Sequence, residues 1–360
     1  MYLDIMTKRI QKNNWQTKKL GDILKLEYGK PLPKTERSSD GKYPVYGANG
    51  IKDFSNKFYF DKPSIVVGRK GSAGKLHLVE KNFWPLDVTY FVTFDDKKYD
   101  LNFLFHLLSD LELSKLAKGV KPGINRNDVY SREVNIPPLP EQRRIVKILD
   151  EIFEKTAKAK ENSEKNLQNA KELFESYLQS VFENPGEDWK KKRFDKICVL
   201  QRGFDLPTRL RNIGKFPLVS SNGITDQIDL WKVKAPGVVT GRSGTIGNVH
   251  YIEKDFWPLN TALYIKEFYG NNERFIYYLL KQFDLSKYSS GAGVPTLNRN
   301  NVHDEMVLYP RSLNEQKYIV KKLDGLSAKT KKLETIYQKK LSDLEELKKS
   351  VLKRAFSGKL

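Results

Sequence analysis

The sequence predicts an α+β protein: two related α/β heads, each followed by a long helix, with the two helices paired antiparallel as a coiled coil. Three observations predict this. The chain repeats itself once, each copy changes character once along its length, and the second part of each copy carries a coiled-coil seam. Trp15–Leu20 recurs as Trp189–Phe194, Tyr43–Ile51 as Phe216–Ile224, and Ile65–Gly74 as Val238–Gly247. Phe83–Leu86 recurs as Phe256–Leu259, Asn125-Arg-Asn127 as Asn298-Arg-Asn300, and Leu139-Pro-Glu-Gln142 as Leu313-Asn-Glu-Gln316. The offset is 173 or 174 throughout. That period lies far above the roughly 20–50 residues of solenoid repeats, so each copy is a domain with an appendage.

The first part of each copy, Trp15–Leu139 and Trp189–Leu313, is rich in Gly, Pro, Asn and aromatic residues. Short apolar runs bounded by turn residues read as buried strands at Ser64–Val67, Gly237–Thr240 and Val88–Phe94. Helical apolar spacing covers Leu101–Lys118 and Glu273–Tyr288. The second part, Pro140–Glu183 and Asn314–Ser357, is nearly free of Gly and Pro and full of Lys and Glu. Apolar or small residues there alternate at spacings of four and three: Ile145, Leu149, Ile152, Thr156, Ala159, Ser163, Asn166, Ala170, Leu173, Tyr177. The second series runs Ile319, Leu323, Leu326, Thr330, Leu333, Tyr337, Lys340, Leu344, Leu347, Val351. This is a coiled-coil seam with polar positions in its middle. Asn184-Pro-Gly186 ends the first helix and Gly358 the second. A seam this narrow needs a partner, and the nearest is the other copy's helix, which predicts a pseudo-two-fold dumbbell. The expected division is a head over 1–139, a helix over 140–184, a second head over 185–312 and a final helix over 313–360.

Composition narrows the function. The 360 residues include 64 Lys plus Arg against 44 Asp plus Glu, a net charge of +20 spread along the chain. Such a surplus favours a polyanion, with nucleic acid first and an acidic membrane second. One cysteine, Cys198, excludes a disulfide framework and a cysteine-rich zinc site. The opening MYLDIMTKRIQKNNW has no signal-peptide core, and no apolar run is long enough to span a membrane. The expectation is a soluble, cytoplasmic protein.

No catalytic constellation is found. Gly68–Lys75 resembles a phosphate loop, but Arg69 stands where its first glycine belongs and Leu76 where Ser or Thr must hold magnesium. His77, His106, His250 and His303 lack metal-ligand spacing or an adjacent nucleophile, and are expected to be satisfied structural histidines. Trp84 and Trp257, in their Phe-Trp-Pro segments, are expected in the core.

The heads suit DNA better. Gly68–Gly74 and Gly241–Gly247 follow buried strands, and their glycines allow close backbone approach. Backbone N–H groups with Arg69, Lys70, Ser72, Arg242, Ser243 and Thr245 suit phosphate contact or a bidentate grip on guanine. The alternative is a tight hairpin with a solvent-facing arginine. The polar loops Lys30–Gly50 and Phe204–Gly223 differ most between the copies. They offer Lys34, Arg37, Lys42, Tyr46 and Asn49 against Arg209, Arg211, Lys215, Ser220 and Asn222, as if to read two different sequences. Arg126 and Arg299 are further candidates, or else part of a turn that caps each head onto its helix.

At these residues the chain resembles the specificity subunit of type I restriction-modification systems, over nearly its whole length. The resemblance rests on Tyr43-Pro-Val-Tyr-Gly-Ala-Asn-Gly50, Val67-Gly-Arg-Lys-Gly-Ser72 and Ile136-Pro-Pro-Leu-Pro-Glu-Gln-Arg-Arg-Ile145. The second copy departs from the last motif, with Tyr309-Pro-Arg-Ser-Leu-Asn-Glu-Gln-Lys317, but keeps Glu-Gln. It implies two target-recognition domains, each reading half of a split double-stranded DNA site, with the helices as a ruler. It also implies docking of two modification (methyltransferase) subunits and then restriction (endonuclease) subunits. S-adenosylmethionine, ATP and magnesium would belong to those partners, with no cofactor in this chain. Two readings stay open beside it: a nuclease or methyltransferase with an unseen site, and a coiled-coil interaction adaptor.

Overall fold

The structure, a computed structural model, describes residues 14–290 and 295–360. The opening segment 1–13, read above for a signal peptide, lies outside the described residues. Two compact units emerge. One holds the described residues through Ser163 together with Lys339–Leu360, and the other holds Glu164–Gln338.

The first unit opens with β1 (Gln16–Lys19) and β2 (Leu24–Tyr28). The hairpin pairs β3 (Tyr43–Gly47) with β4 (Gly50–Ser55) and β5 (Ser64–Gly68) with β6 (Leu76–Val79) follow. Next come β7 (Trp84–Pro85), β8 (Thr89–Phe94), α1 (Leu101–Asp110), α2 (Arg126–Tyr130), β9 (Glu133–Ile136) and α3 (Leu139–Glu183). Strands β2-β8-β5-β6 form one antiparallel sheet, and β4-β3-β7 a smaller mixed one. Every residue of β5 is buried, as a Ser-Ile-Val-Val-Gly run in a sheet interior requires. Its buried Ser64 hydroxyl donates to the Val92 carbonyl at 2.7 Å and accepts from the Val92 N–H at 3.1 Å. Strand β1 pairs antiparallel with β9, so the start of the head lies beside the entry to α3.

The second unit repeats this plan. Its strands are β10 (Trp189–Arg193), β11 (Val199–Arg202), β12 (Ile213–Ser220), β13 (Gly223–Ile228), β14 (Gly237–Gly241) and β15 (Val249–Ile252). Then follow β16 (Trp257–Pro258), β17 (Ala262–Glu267) and α4 (Glu273–Gln282). The last elements are β18 (Ser289–Ser290), β19 (Thr296–Leu297), α5 (Arg299–His303), β20 (Met306–Pro310) and α6 (Leu313–Phe356). Its sheets, β11-β17-β14-β15 and β13-β12-β16, match those of the first unit strand for strand.

One glutamine locks each long helix to its head. Gln142 is fully buried; its amide oxygen accepts from the Asp100 N–H, and its amide nitrogen donates to the carbonyls of Lys98 and Pro137. Gln316 accepts from the Asn272 N–H and donates to Pro310 and the Asn271 side chain. Asp100 and Asn272 are themselves the N-caps of α1 and α4, accepting from Phe103 and Phe275. The Glu-Gln motif is therefore an internal joint.

Two expectations are corrected. The helices predicted over Leu101–Lys118 and Glu273–Tyr288 stop at Asp110 and Gln282, and a 3₁₀ turn follows each, Leu113–Leu116 and Leu285–Tyr288. Leu113 and Leu285 both enter the core, each two turns' spacing after a buried residue of the helix, His106 and Tyr278, which is why the apolar pattern runs on past the helix end. The predicted seam also drifts. After the buried Ser163 it passes from Asn166, Leu173 and Tyr177 to Leu167, Phe174 and Leu178, and Leu173 is 51% exposed. Leu333 and Leu347 are likewise exposed on α6. A straight helix with 3.6 residues per turn slides off a 3.5-residue stripe. The aromatic core of the head also favours Phe174, which packs on Tyr278 at 6.2 Å. Within the first unit the helix segments run antiparallel. Lys348 stacks on Phe153, Lys160 pairs with Glu345 at 2.7 Å, and Leu149 shares a core with Leu352.

Candidate nucleic-acid interface

The Gly-rich loops join two antiparallel strands, β5 to β6 and β14 to β15, and no helix follows either. Gly68 is needed because a Cβ there would meet the Ser72 carbonyl oxygen at 2.1 Å; at Gly241 it would meet that of Thr245 at 1.7 Å. The close approach allowed by these glycines is made to the loop itself. The N–H groups of Gly68 and Gly74 go to the carbonyls of Lys75 and Gly68, and that of Gly71 goes to Pro122. Those of Arg69 and Lys70 both reach Val88, as those of Arg242 and Ser243 both reach Thr261. These backbone donors are taken up inside the fold, which leaves the side chains as the groups the loops present.

Arg69 donates through Nε and Nη2 to the Asp87 carbonyl at 3.1 and 2.6 Å. Its guanidinium lies 5.4 Å from the Tyr28 ring centroid, and Arg126 lies 5.1 Å from the same ring. Tyr28 in turn packs on its cross-strand neighbour Tyr90, ring centroids 5.1 Å apart. Burial, then a hydrogen bond with Tyr28, pushes the Tyr90 phenol up to about 12. In the second unit Arg242 donates to the Asn260 carbonyl at 2.8 Å and Arg299 to that of Leu200 at 3.5 Å. Arg202 replaces Tyr28, Leu263 replaces Tyr90, and a cavity of about 320 Å³ opens between Arg202, Arg242 and Arg299. The Asn-Arg-Asn segments are short helices whose caps are Asn125 and Asn298. The arginines point to the loop side, so capping and surface presentation coexist.

The polar loops divide into frame and surface. Arg37 donates to the Leu32 carbonyl, and Arg211 donates to that of Leu206 at 3.1 and 2.8 Å, so both brace their loops from within. Tyr46 is buried, edge-on to Phe83 at 5.9 Å. The Ser220 hydroxyl accepts from the Asn222 N–H at 3.1 Å inside its turn. Lys34, Lys42, Lys70 and Ser72 are exposed in the first unit, and Arg209, Lys215 and Asn222 in the second; Ser243 and Thr245 are half-buried. Asn49, also exposed, accepts from Lys75 at 2.7 Å, whereas Asn222 accepts from Thr245. In both units the tip turn is thus tied to the Gly-rich loop.

His77 and His250 sit beneath these turns, each with a backbone bond to Ala48 or Ser221. Their Nε2 atoms are buried without a partner, which corrects the expectation of fully satisfied histidines. Burial lowers both pKa values, with the Lys75 charge adding to the effect at His77. His106 meets Asp150 at 3.1 Å and His303 accepts from the Leu200 N–H at 3.0 Å. Trp257 is buried and Trp84 half-buried, their indoles donating to Phe204 and Lys30. Among the described residues no group of three or more His, Cys, Asp or Glu could hold a metal, and no helix is long and apolar enough to cross a membrane.

A family model described as the Type I restriction modification DNA specificity domain matches residues 12–169 and again 186–342. The chain belongs to this family. It therefore carries two copies of the specificity domain. The Escherichia coli EcoprrI specificity subunit is 25% identical over 139 residues, and a putative Haemophilus influenzae specificity subunit 29% over 126. Those alignments cover 37% and 34% of this chain but only 34% and 32% of those relatives. The Escherichia coli EcoDI specificity subunit aligns more fully, 22% identical over 96% of this chain and 89% of its own. The fold agrees with a chain solved in work on complex assembly and conformational transition of the type I R-M system: TM-score 0.80, 17% identity, 97% and 99% coverage. It also agrees with the HsdS subunit from Thermoanaerobacter tengcongensis, with TM-score 0.60, 17% identity and 97% and 98% coverage.

Sequence reasoning about the specificity domains missed Tyr28 and Arg202, which organise the two arginine clusters. The signal was available: they are repeat partners that differ in chemistry and stand directly before an equivalent glycine, Gly29 and Gly203. It also missed Ile51 and Ile224, equivalent residues beside the tip turns that are 54% and 57% exposed.

Proposed function

We propose that this chain is the non-catalytic reader of a type I restriction-modification complex, each head reading one half of a split double-stranded DNA site. The working division is 1–139 and 185–312 for the readers, with 140–184 and 313–360 as the helices that set the unread gap. Those helices also offer docking surfaces to two modification (methyltransferase) subunits, with restriction subunits joining afterwards. S-adenosylmethionine, ATP and magnesium act in the partners, and the complex works in the cytoplasm.

One observation carries this reading: a DNA specificity domain occurs twice, and each copy presents arginines from the same two loops in different surroundings. Equal scaffolds with unequal contact groups suit two different half-sites. The contacts are assigned to Lys34, Lys42, Asn49, Arg69, Lys70, Ser72 and Arg126 in the first head. In the second they are assigned to Arg209, Asn222, Arg242, Ser243, Thr245 and Arg299. Arg37, Arg211, Tyr46 and Ser220 act by holding the loops that carry them.

The test is modification-sensitive sequencing of DNA from cells expressing the modification subunit with and without this chain. A split, asymmetric methylated motif that depends on the chain is expected. An active, chain-bound modification subunit that leaves no new motif would overturn the reading in favour of an interaction adaptor.

A further inference from the structure

We propose that Arg202, Arg242 and Arg299 form a binding site for a phosphate group, filled by the DNA backbone, and that the first head lacks this site because Tyr28 occupies its place. The proposal rests on the DNA-reading function above and adds a contact that repeats in only one head. The three arginines line one open cavity of about 320 Å³ together with Leu263 and Asn298. Arginine presents several N–H donors in a planar fork suited to phosphate oxygens. One donor of each is taken: Arg242 by Asn260, Arg299 by Leu200, and Arg202 by Asp205 at 3.4 Å. The Arg202–Asp205 pair is exposed on both sides, so solvent screens it and it neutralises Arg202 only weakly. Three cations around one cavity repel one another until an anion bridges them.

The first head supplies the contrast. Arg69 and Arg126 stand where Arg242 and Arg299 stand, but both lie over the Tyr28 ring, at 5.4 and 5.1 Å. The quadrupole of an aromatic face there does part of what an anion would do in the second head. Tyr28 is itself 48% exposed, so this head offers an aromatic face flanked by arginines.

The test uses the full chain and two variants, Arg202→Tyr, which installs the residue of the first head, and Arg202→Gln. Two probes are read, inorganic phosphate by thermal shift and duplex DNA carrying the methylated motif by salt-dependent binding. The expected result is that phosphate raises the midpoint of the wild-type chain and of neither variant. For DNA, the slope of log K against log salt should fall by about one in both variants with the preferred bases unchanged. Loss of the phosphate effect with an unchanged DNA slope would keep the anion site but assign it to a free phosphate, overturning the backbone contact. Equal phosphate response and equal slope in all three proteins would overturn the site while leaving DNA reading intact. A wild-type chain that ignores the DNA would count against the function proposed above, and the phosphate response would then judge the site alone.

Discussion

The two heads share their interior bonds and differ at their surfaces. The glutamine joints, the capped helices, the half-partnered histidines and the loop-bracing arginines recur at equivalent positions. Tyr28 against Arg202, Tyr90 against Leu263 and Lys75 against Asn248 do not, and all lie around the presented loops. Bonds buried inside a head must be matched pair by pair, because an unmatched buried polar group costs about 1–3 kcal/mol. A residue at the mouth of a loop faces water and changes at little cost. The same frame can thus hold two chemically different contact surfaces.

The strongest way to break this comparison is at the loop glycines. Gly68→Ala and Gly241→Ala each push a Cβ into a carbonyl of the same loop. Each should cost about 3 kcal/mol or open the loop outright, visible as faster hydrogen exchange at 68–75 or 241–248 in the altered head alone. Gly71→Ala is the control: its Cβ meets open space, and only the positive φ of 82° is penalised, about 1 kcal/mol. Equal losses at Gly71 and Gly68 would show that the close approach is not what the loop requires.

The joints come next. Gln142→Ala and Gln316→Ala each orphan the buried N–H and carbonyls that the amide served. Each should destabilise its own unit by about 2–3 kcal/mol, measured as a shift in denaturant midpoint. A large loss at one and none at the other would mean that the two joints are not equivalent.

The smallest effect is on pH. His77 and His250 have pKa values lowered from 6.5, chiefly by burial, so the unfolded chain takes up the proton first. Stability is then complete above about 6.5 and is lost as pH falls through the folded values. His106 and His303 shift the same way. The thermal midpoint should fall between pH 7 and pH 5, and His77→Gln with His250→Gln should flatten that fall. A midpoint that rises on acidification would contradict the placement of these rings.

Much of this was legible in the residues. Repetition at a fixed offset gave the two heads, and uninterrupted Lys/Glu-rich periodicity gave two helices within a residue of those observed. These signals are local or are copied along the chain, so sequence by itself determined the number of heads, their order and their partner helices. Backbone propensity and apolar period act over a few turns and need no distant partner to be read. Tertiary structure alone decided the rest. It ended the head helices at Asp110 and Gln282, with Leu113 and Leu285 entering the core from the 3₁₀ turns that follow, and moved the seam towards Phe174. It turned Arg37 and Arg211 inward while leaving Arg202 at a cavity. An arginine looks the same in sequence whether its guanidinium meets a carbonyl five residues away, an aromatic face or an open anion site. The difference lies in which atoms the fold brings within bonding distance, and those atoms come from strands, loops and helices far apart in the chain.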